Sequence, residues 1–394
     1  MRSCSLILLI LMLFASPVRA QSEHSEGRFL LGPLAWTPVV TLHDAGFDSN
    51  VFNDPTNPQG DTTATLSPRV DAGIDAPRLK ISGNAVVDFV YYDRFTSERS
   101  VNRRVSARVD VPLVLIQPFV TGGYVDTRER MNPEVDVRAR RHEHEGSAGV
   151  AWHVPSRGDL QVAARAADQM FESGETVRGV SIADRLNRTI EAASAGFRYD
   201  VTPLTSFVSE VTGTRERFDV AREFDANHLN ANGGFAFDAD AIIRGRAVIG
   251  YHRVSAVGDL ALPFQGMTAN VDLAYVLLGR TKFRGRLGRD AASSIEQYPY
   301  YLQTGYDVEV RHYLFGATEV IARAGREKLD YPGIESRNLV ARVDVVERYG
   351  GGVAFKVSQR SSVAVDSEFL QRRSDVDSLT FDRRRLYMTL VYGF

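Results

Sequence analysis

Arg244 and Arg246 lie two residues apart, and so do Lys282, Arg284 and Arg286 further along the chain. Between these sets, Thr268, Asn270 and Asp272 follow the same spacing. A period of two places each set on one face of an extended strand. Guanidinium groups held in a row present paired N–H donors that match carboxylates. On the wall of a water-filled lumen, such a row favours anions, and a row mixed with carboxylates sets up a transverse field. Arg104, Arg108, Arg311, Arg342 and Arg385 extend the basic set, with Asp307 and Glu309 among its acidic neighbours. This pattern suits binding and passage, not catalysis. The sequence contains no G-x-S-x-G elbow, no H-E-x-x-H pair and no phosphate loop. Of eight histidines only His142 and His144 are close in sequence. Their spacing puts both on one strand face, but with no third ligand nearby a solvated strand end is expected instead of a metal site. No cofactor, no metal and no enzymatic activity are expected.

The elements that must carry these side chains are strands. Ile243, Gly245, Ala247, Ile249 and Tyr251 alternate with Arg244, Arg246, Val248, Gly250 and His252. Met267 to Leu277, Leu302 to Val310 and Leu79 to Tyr91 repeat the pattern, and the chain ends on Leu386, Met388, Leu390, Tyr392 and Phe394 at alternate positions. A soluble sandwich would hide the apolar face in a core, whereas a transmembrane barrel would turn it to lipid and line its lumen with the polar face. Three features select the barrel. Many runs reach about 9–11 residues, the length a tilted strand needs to cross a bilayer. Full charges occupy mid-strand positions. Aromatic residues gather near strand ends, as at Phe89, Tyr91 and Tyr92, or Tyr392 and Phe394.

Short turns are expected near 76–77, 113–115, 155–158, 202–203, 238–240, 278–280, 314–316 and 358–360. Longer polar links fall at 47–61, 93–100, 128–137, 172–183, 216–225, 254–263, 290–299, 328–337 and 372–380. Eight short turns and nine long links join eighteen strands, and sixteen would also fit the chain length. The expected fold is therefore all-β, a transmembrane antiparallel up-and-down barrel with both termini periplasmic. Lipid offers the backbone no hydrogen bonds, so the sheet must close on itself. A barrel of this size is too wide for side chains alone to fill, so an open or loop-constricted lumen follows, with 47–61 and 172–183 as the best constricting segments.

The 394 residues divide into 1–20, 21–34 and 35–394. Arg2, the apolar run Leu6 to Ala15 and the small residues at Val18-Arg19-Ala20 form a cleavable export signal. Residues 21–34 read as a short periplasmic lead-in, and 35–394 as the barrel. Removing Arg2 and Arg19 lowers the 47 basic residues to 45 against 49 acidic, a net charge of −4. There is no basic surplus for nucleic acid. Cys4 is the one cysteine, and it leaves with the signal, so neither a disulfide framework nor a thiolate metal centre is expected. A bacterial outer membrane is the expected location, with its lipid around the apolar band.

The stretch Ala45-Gly46-Phe47-Asp48-Ser49-Asn50-Val51-Phe52 resembles the G-[YF]-D-[SD]-N-V-[FY] signature that opens a family of bacterial β-barrel porins. These are often encoded beside exopolysaccharide synthesis and export genes. The resemblance implies a porin-like barrel that moves polysaccharide across the outer membrane; together with the arginine-rich wall, passage of hydrophilic, anionic saccharides is expected, with periplasmic export partners. It singles out Gly46, Asp48, Asn50 and Phe52, and carries over no catalytic residue. The aromatic C-terminal strand fits insertion by the barrel-assembly machinery. On residue chemistry alone, Asp48, Ser49 and Asn50 are turn formers that shape the first loop or hold an ion. A general diffusion porin for small solutes and a structural or partner-binding barrel are the alternative functions.

Overall fold

The computed structural model describes residues 29–154 and 157–394. The expected export signal and residues 21–28 of the lead-in lie outside the described residues. The chain forms eighteen long antiparallel strands: β1 Leu34–Asp48, β2 Asp61–Ala76, β3 Leu79–Tyr92, β4 Ser100–Asp110, β5 Ile116–Arg130 and β6 Arg138–Val154. These are followed by β7 Gly158–Phe171, β8 Arg188–Thr202, β9 Thr205–Phe218, β10 Ala226–Phe237, β11 Ile243–Ala256 and β12 Phe264–Leu277. The last six are β13 Thr281–Ser293, β14 Tyr300–Tyr313, β15 Thr318–Tyr331, β16 Arg342–Lys356, β17 Ser361–Ser374 and β18 Phe381–Gly393. Each pairs with its neighbours in sequence, and β1 pairs with β18, so the sheet closes into a barrel without free edges. Phe29–Leu31 forms a three-residue strand folded back on the start of β1.

Register makes the two faces. Ala274 pairs with Arg284 and Asp272 with Arg286 between β12 and β13, and Arg286 pairs with Asp307 between β13 and β14. Because side chains alternate, this one alignment turns every charge of the row to the same side. The opposite side carries Met267 at 59% exposure, Ile249 at 63%, Val162 at 54% and Leu386 at 58%, a band of large apolar side chains around the outside. In water such a band would be a severe liability; facing acyl chains it is the stable arrangement.

The connections separate by length. At one end lie tight turns such as 77–78, 203–204 and 278–280. The last is closed by Arg280 N donating to Leu277 O at 3.0 Å, with Leu278 at φ 50° and Gly279 at φ 66°. Two consecutive positive φ values define the hairpin turn whose twist matches the strands, and glycine at the second position enters it without steric cost. At the other end lie 49–60, 131–137, 172–187, 294–299, 332–341 and their neighbours. The start of β1 and the end of β18 both sit at the short-turn end.

Candidate functional site

The seam where the barrel closes contains the signature residues. A β-bulge interrupts the β1–β18 register between Leu42 and Ala45, with Asp44 at φ 53°. A Cβ on Gly46 would collide with the Leu386 carbonyl and the Tyr387 Cα, so glycine here permits the close approach of the two strands. Asp48 is buried and receives the Arg383 guanidinium through Nε at 2.9 and 3.0 Å and through Nη2. Fully buried Asn50 donates to the carbonyls of Asp54 at 2.9 Å and Asp382 at 3.2 Å, and accepts from Asp54 N at 2.9 Å. Phe52 packs edge-on against Phe95 with ring centres 4.8 Å apart. These contacts make the signature a clasp that ties the first loop to the last strand.

The inner wall carries a belt of alternating charge. Arg284 grips Asp272 with two bonds of 2.9 and 2.6 Å, and Arg286 holds Asp307 at 2.6 Å. Glu309 takes Arg311 at 2.6 Å and Arg323 at 2.8 Å, and Arg323 reaches Asp366 at 2.6 Å. Arg385 continues the belt to Asp44 at 2.5 Å, with Glu368 at 3.6 Å and Asp48 at 3.8 Å. Arg104 and Arg108 stand on a separate part of the wall. Arg104 contacts Asp88 and binds Glu129 at 2.6 Å, and Arg108 binds Asp110 at 2.7 Å. Arg244, Arg246 and Lys282 share the inward face with the belt but make no ion pair among the described residues. Arg244 Nε donates to the Ala241 carbonyl at 3.2 Å, Arg246 Nε has no hydrogen-bond partner among the described residues, and Lys282 Nζ lies 5.7 Å from the Tyr313 ring centre. Most of the basic row is therefore neutralised by contacting carboxylates, and the cations without a salt bridge among the described residues gather on β11 and β13, with Glu210 of β9 acting on Arg246 from beyond contact.

Arg342 belongs elsewhere, at the long-loop mouth. It holds Glu296 with two bonds of 2.7 and 2.8 Å, lies 3.3 Å from Asp344, and stacks over Tyr331 at 3.9 Å. Glu296 also takes Arg178 at 2.5 Å. Segment 172–187 folds inward here and contains a one-turn helix, α1, at Ile182–Leu186, whose start is capped by Ser181 Oγ accepting from Asp184 N. Ile182, Ala183 and Leu186 pack with Val135, Val177 and Ile295 into an apolar cluster inside the mouth. Arg185 of α1 donates to the carbonyls of Ile295 at 3.2 Å and Glu296 at 2.6 Å. Those loops are six strands apart around the barrel, so the segment reaches across the opening. A cavity of about 260 Å³ remains beside it, lined by Asn53, Asp136, Thr176, Arg178 and Arg372 among others.

Sequence periodicity located the wall residues, and the lid falls in the 172–183 link expected as a constricting segment, but the residues it meets were not foreseen. Glu134, Arg178, Arg185 and Glu296 lie in loops, where period-two logic has no hold, and Arg372 stands on β17 in phase with Asp366 and Glu368 but was not singled out. One signal was present: Ser181 followed by Asp184 and the apolar Ile182, Ala183 and Leu186 is a helix start inside a polar link.

The closed barrel, the charged lumen and the inward lid define a class, the porin-like channels of the outer membrane. More particularly, the family model described as "Putative beta-barrel porin 2" matches residues 27–394, and the chain belongs to that family. No curated protein matches the sequence. Among solved structures, Pseudomonas aeruginosa OpdK with vanillate is similar at 10% identity and a TM-score of 0.53, over 93% of this chain and 100% of that one. The BenF-like porin of Pseudomonas fluorescens matches with the same identity, coverage and TM-score. Acinetobacter baumannii OccAB4 matches over 91% of this chain and 98% of its own, at 10% identity and a TM-score of 0.52. At this identity the likeness shows a shared fold.

Proposed function

We propose that the barrel passes hydrophilic anionic solutes, saccharides carrying carboxylates foremost, through a lumen gated at the long-loop mouth, with the short-turn end toward the periplasm. The observation that carries this reading is the placement of Arg244, Arg246 and Lys282, cations without ion-pair partners among the described residues, beside a belt that is otherwise neutralised. A wet wall with local cationic surplus draws anions to that side, while the belt orients dipolar hydroxyl-rich groups. The resemblance of the 45–52 stretch to porins found beside exopolysaccharide genes supports saccharide as the solute and export as the direction.

The test is single-channel conductance of the refolded protein in a planar bilayer, with acidic and neutral oligosaccharides added in turn. Block by the acidic sugar and weaker block by the neutral one is the expected result. Because one structural relative was crystallised with vanillate, that small carboxylate is the comparison solute. Conductance indifferent to all three would replace this proposal with a general diffusion pore, and folded protein without conductance would replace it with a structural or partner-gated barrel.

A further inference from the structure

His228 on β10 and His252 on β11 both face the lumen, and His228 Nδ1 lies 3.1 Å from His252 Nε2. Their outer nitrogens are each engaged by a carboxylate. His228 Nε2 meets Glu216 Oε2 at 3.3 Å, and His252 Nδ1 meets Asp290 Oδ1 at 2.7 Å. Both carboxylates are committed as acceptors: Glu216 takes Arg188 at 2.9 Å and Ser293 Oγ at 3.2 Å, and Asp290 takes the Ala291 N–H at 2.7 Å. A neutral imidazole has one N–H and one lone pair. The carboxylates claim the N–H of each ring, so the two inner nitrogens turn lone pairs toward each other. At that separation they repel unless a cation lies between them.

We infer that His228 and His252 are a two-histidine anchor for a first-row divalent transition ion such as Zn²⁺, Ni²⁺ or Cu²⁺. Imidazole ligands suit these ions and not Mg²⁺ or Ca²⁺. A carboxylate on the outer nitrogen is the arrangement that fixes the tautomer and raises the basicity of a metal-binding histidine. Metal–nitrogen bonds of about 2.0–2.1 Å at a tetrahedral angle put the two nitrogens about 3.3–3.4 Å apart, so the rings need only part by a few tenths of an ångström and turn toward a common point. His252 is buried at 3% exposure, with Phe264 edge-on at 5.9 Å to hold its ring. The His228 side chain keeps 18% exposure, which leaves a path from the lumen. Among the described residues, no group of three or more His, Cys, Asp or Glu surrounds one point as a complete metal centre. The remaining coordination positions therefore fall to water or to oxygen atoms of a solute in the lumen. This site does not depend on what the channel carries.

The test is calorimetric titration of Zn²⁺ and Ni²⁺ into the refolded full-length barrel at fixed pH, together with the electron paramagnetic resonance spectrum of added Cu²⁺. One ion per barrel and nitrogen hyperfine coupling from two imidazoles are expected. His228→Ala and His252→Ala should each abolish that binding, and Asp290→Asn should weaken it about 10- to 100-fold. The His142→Ala/His144→Ala double variant should leave it intact. Folding of each variant is checked by its β-type circular dichroism and its heat-modifiable migration on a gel. Folded wild-type protein that takes up no ion at millimolar concentration, which would leave a shared proton between the rings, overturns the inference. So does binding that survives both single substitutions, or that disappears only in the His142/His144 variant.

Discussion

Glu134 and Ser294 meet at the mouth of the barrel although their loops are eight strands apart in a ring of eighteen. One carboxylate oxygen of Glu134 accepts from Ser294 Oγ and the other accepts from Ile295 N at 3.2 Å. The contact joins nearly opposite walls and latches the 131–137 loop over the lumen. Burial pushes the Glu134 carboxyl up to about 7; the Ser294 bond opposes that shift, and the nearby Glu296 charge adds to it.

The latch should therefore depend on pH. An acid whose folded-state pKa is raised favours the folded arrangement when protonated. Its support is full below the ordinary value of 4.5 and is lost as pH rises through about 7. The groups facing it are Glu296, Arg178 and Tyr301, with Arg372 holding the Pro133 carbonyl beside it. Single-channel records should show long quiet dwells at pH 5 and frequent lid flicker at pH 8. Glu134→Gln should keep the quiet pattern at both. Flicker that changes equally with pH in the variant would remove Glu134 from this role.

The inward segment should limit current. Replacing residues 176–184 with a Gly-Ser linker removes most of α1, together with Arg178, one of the two arginines on the Glu296 carboxylate. The apolar cluster inside the mouth then loses Val177, Ile182 and Ala183. Single-channel conductance should rise severalfold, because the narrowest part of a pore dominates its resistance. Conductance unchanged in a folded variant would mean the constriction lies elsewhere.

The wall was legible in sequence because alternation is a local code. Once Arg284 faces inward, so must Arg286, and the pairing of Asp272 and Asp307 with them follows from register. The count of eighteen strands followed from turn chemistry such as Leu278-Gly279 in the same way. What alternation could not say is how far each cation is neutralised, since Arg323 meets Asp366 across 43 residues. The 172–183 link is expected from sequence to constrict the lumen, but alternation could not foresee the contacts that latch the mouth, which join loops such as 131–137 and 294–299 through single side chains. His228 and His252 were equally hidden, because they become neighbours only through the β10–β11 pairing and their partner carboxylates come from β9 and β13.

The signature should matter for stability and not for selectivity. Asp48 and Arg383 are both largely buried, and removing one partner strands the other charge. Breaking such a pair costs about 3–5 kcal/mol. Asp48→Ala should lower the temperature at which the unboiled barrel loses its fast migration, and should slow refolding. The charge-balanced Asp48→Asn/Arg383→Gln variant, which leaves the net charge unchanged, should match the wild-type reversal potential in a salt gradient. A changed reversal potential in that variant with unchanged thermal stability would move Asp48 from the clasp to the conduction path.

The cations outside the salt-bridged belt should set ion preference, and two double variants separate them from it. Arg244→Gln/Arg246→Gln removes two positive charges that no carboxylate among the described residues offsets by contact. The reversal potential in a potassium chloride gradient should move toward cation preference, most strongly at low salt, where the Debye length approaches about 30 Å at 0.01 M. Asp272→Asn/Arg284→Gln removes an ion pair held by bonds of 2.9 and 2.6 Å, leaving the net charge unchanged. Its reversal potential should stay near the wild-type value, since the field of a closed pair falls off quickly along the lumen. Equal shifts in both variants would show that the belt acts through its local dipoles, and no shift in the first would remove Arg244 and Arg246 from the conduction path.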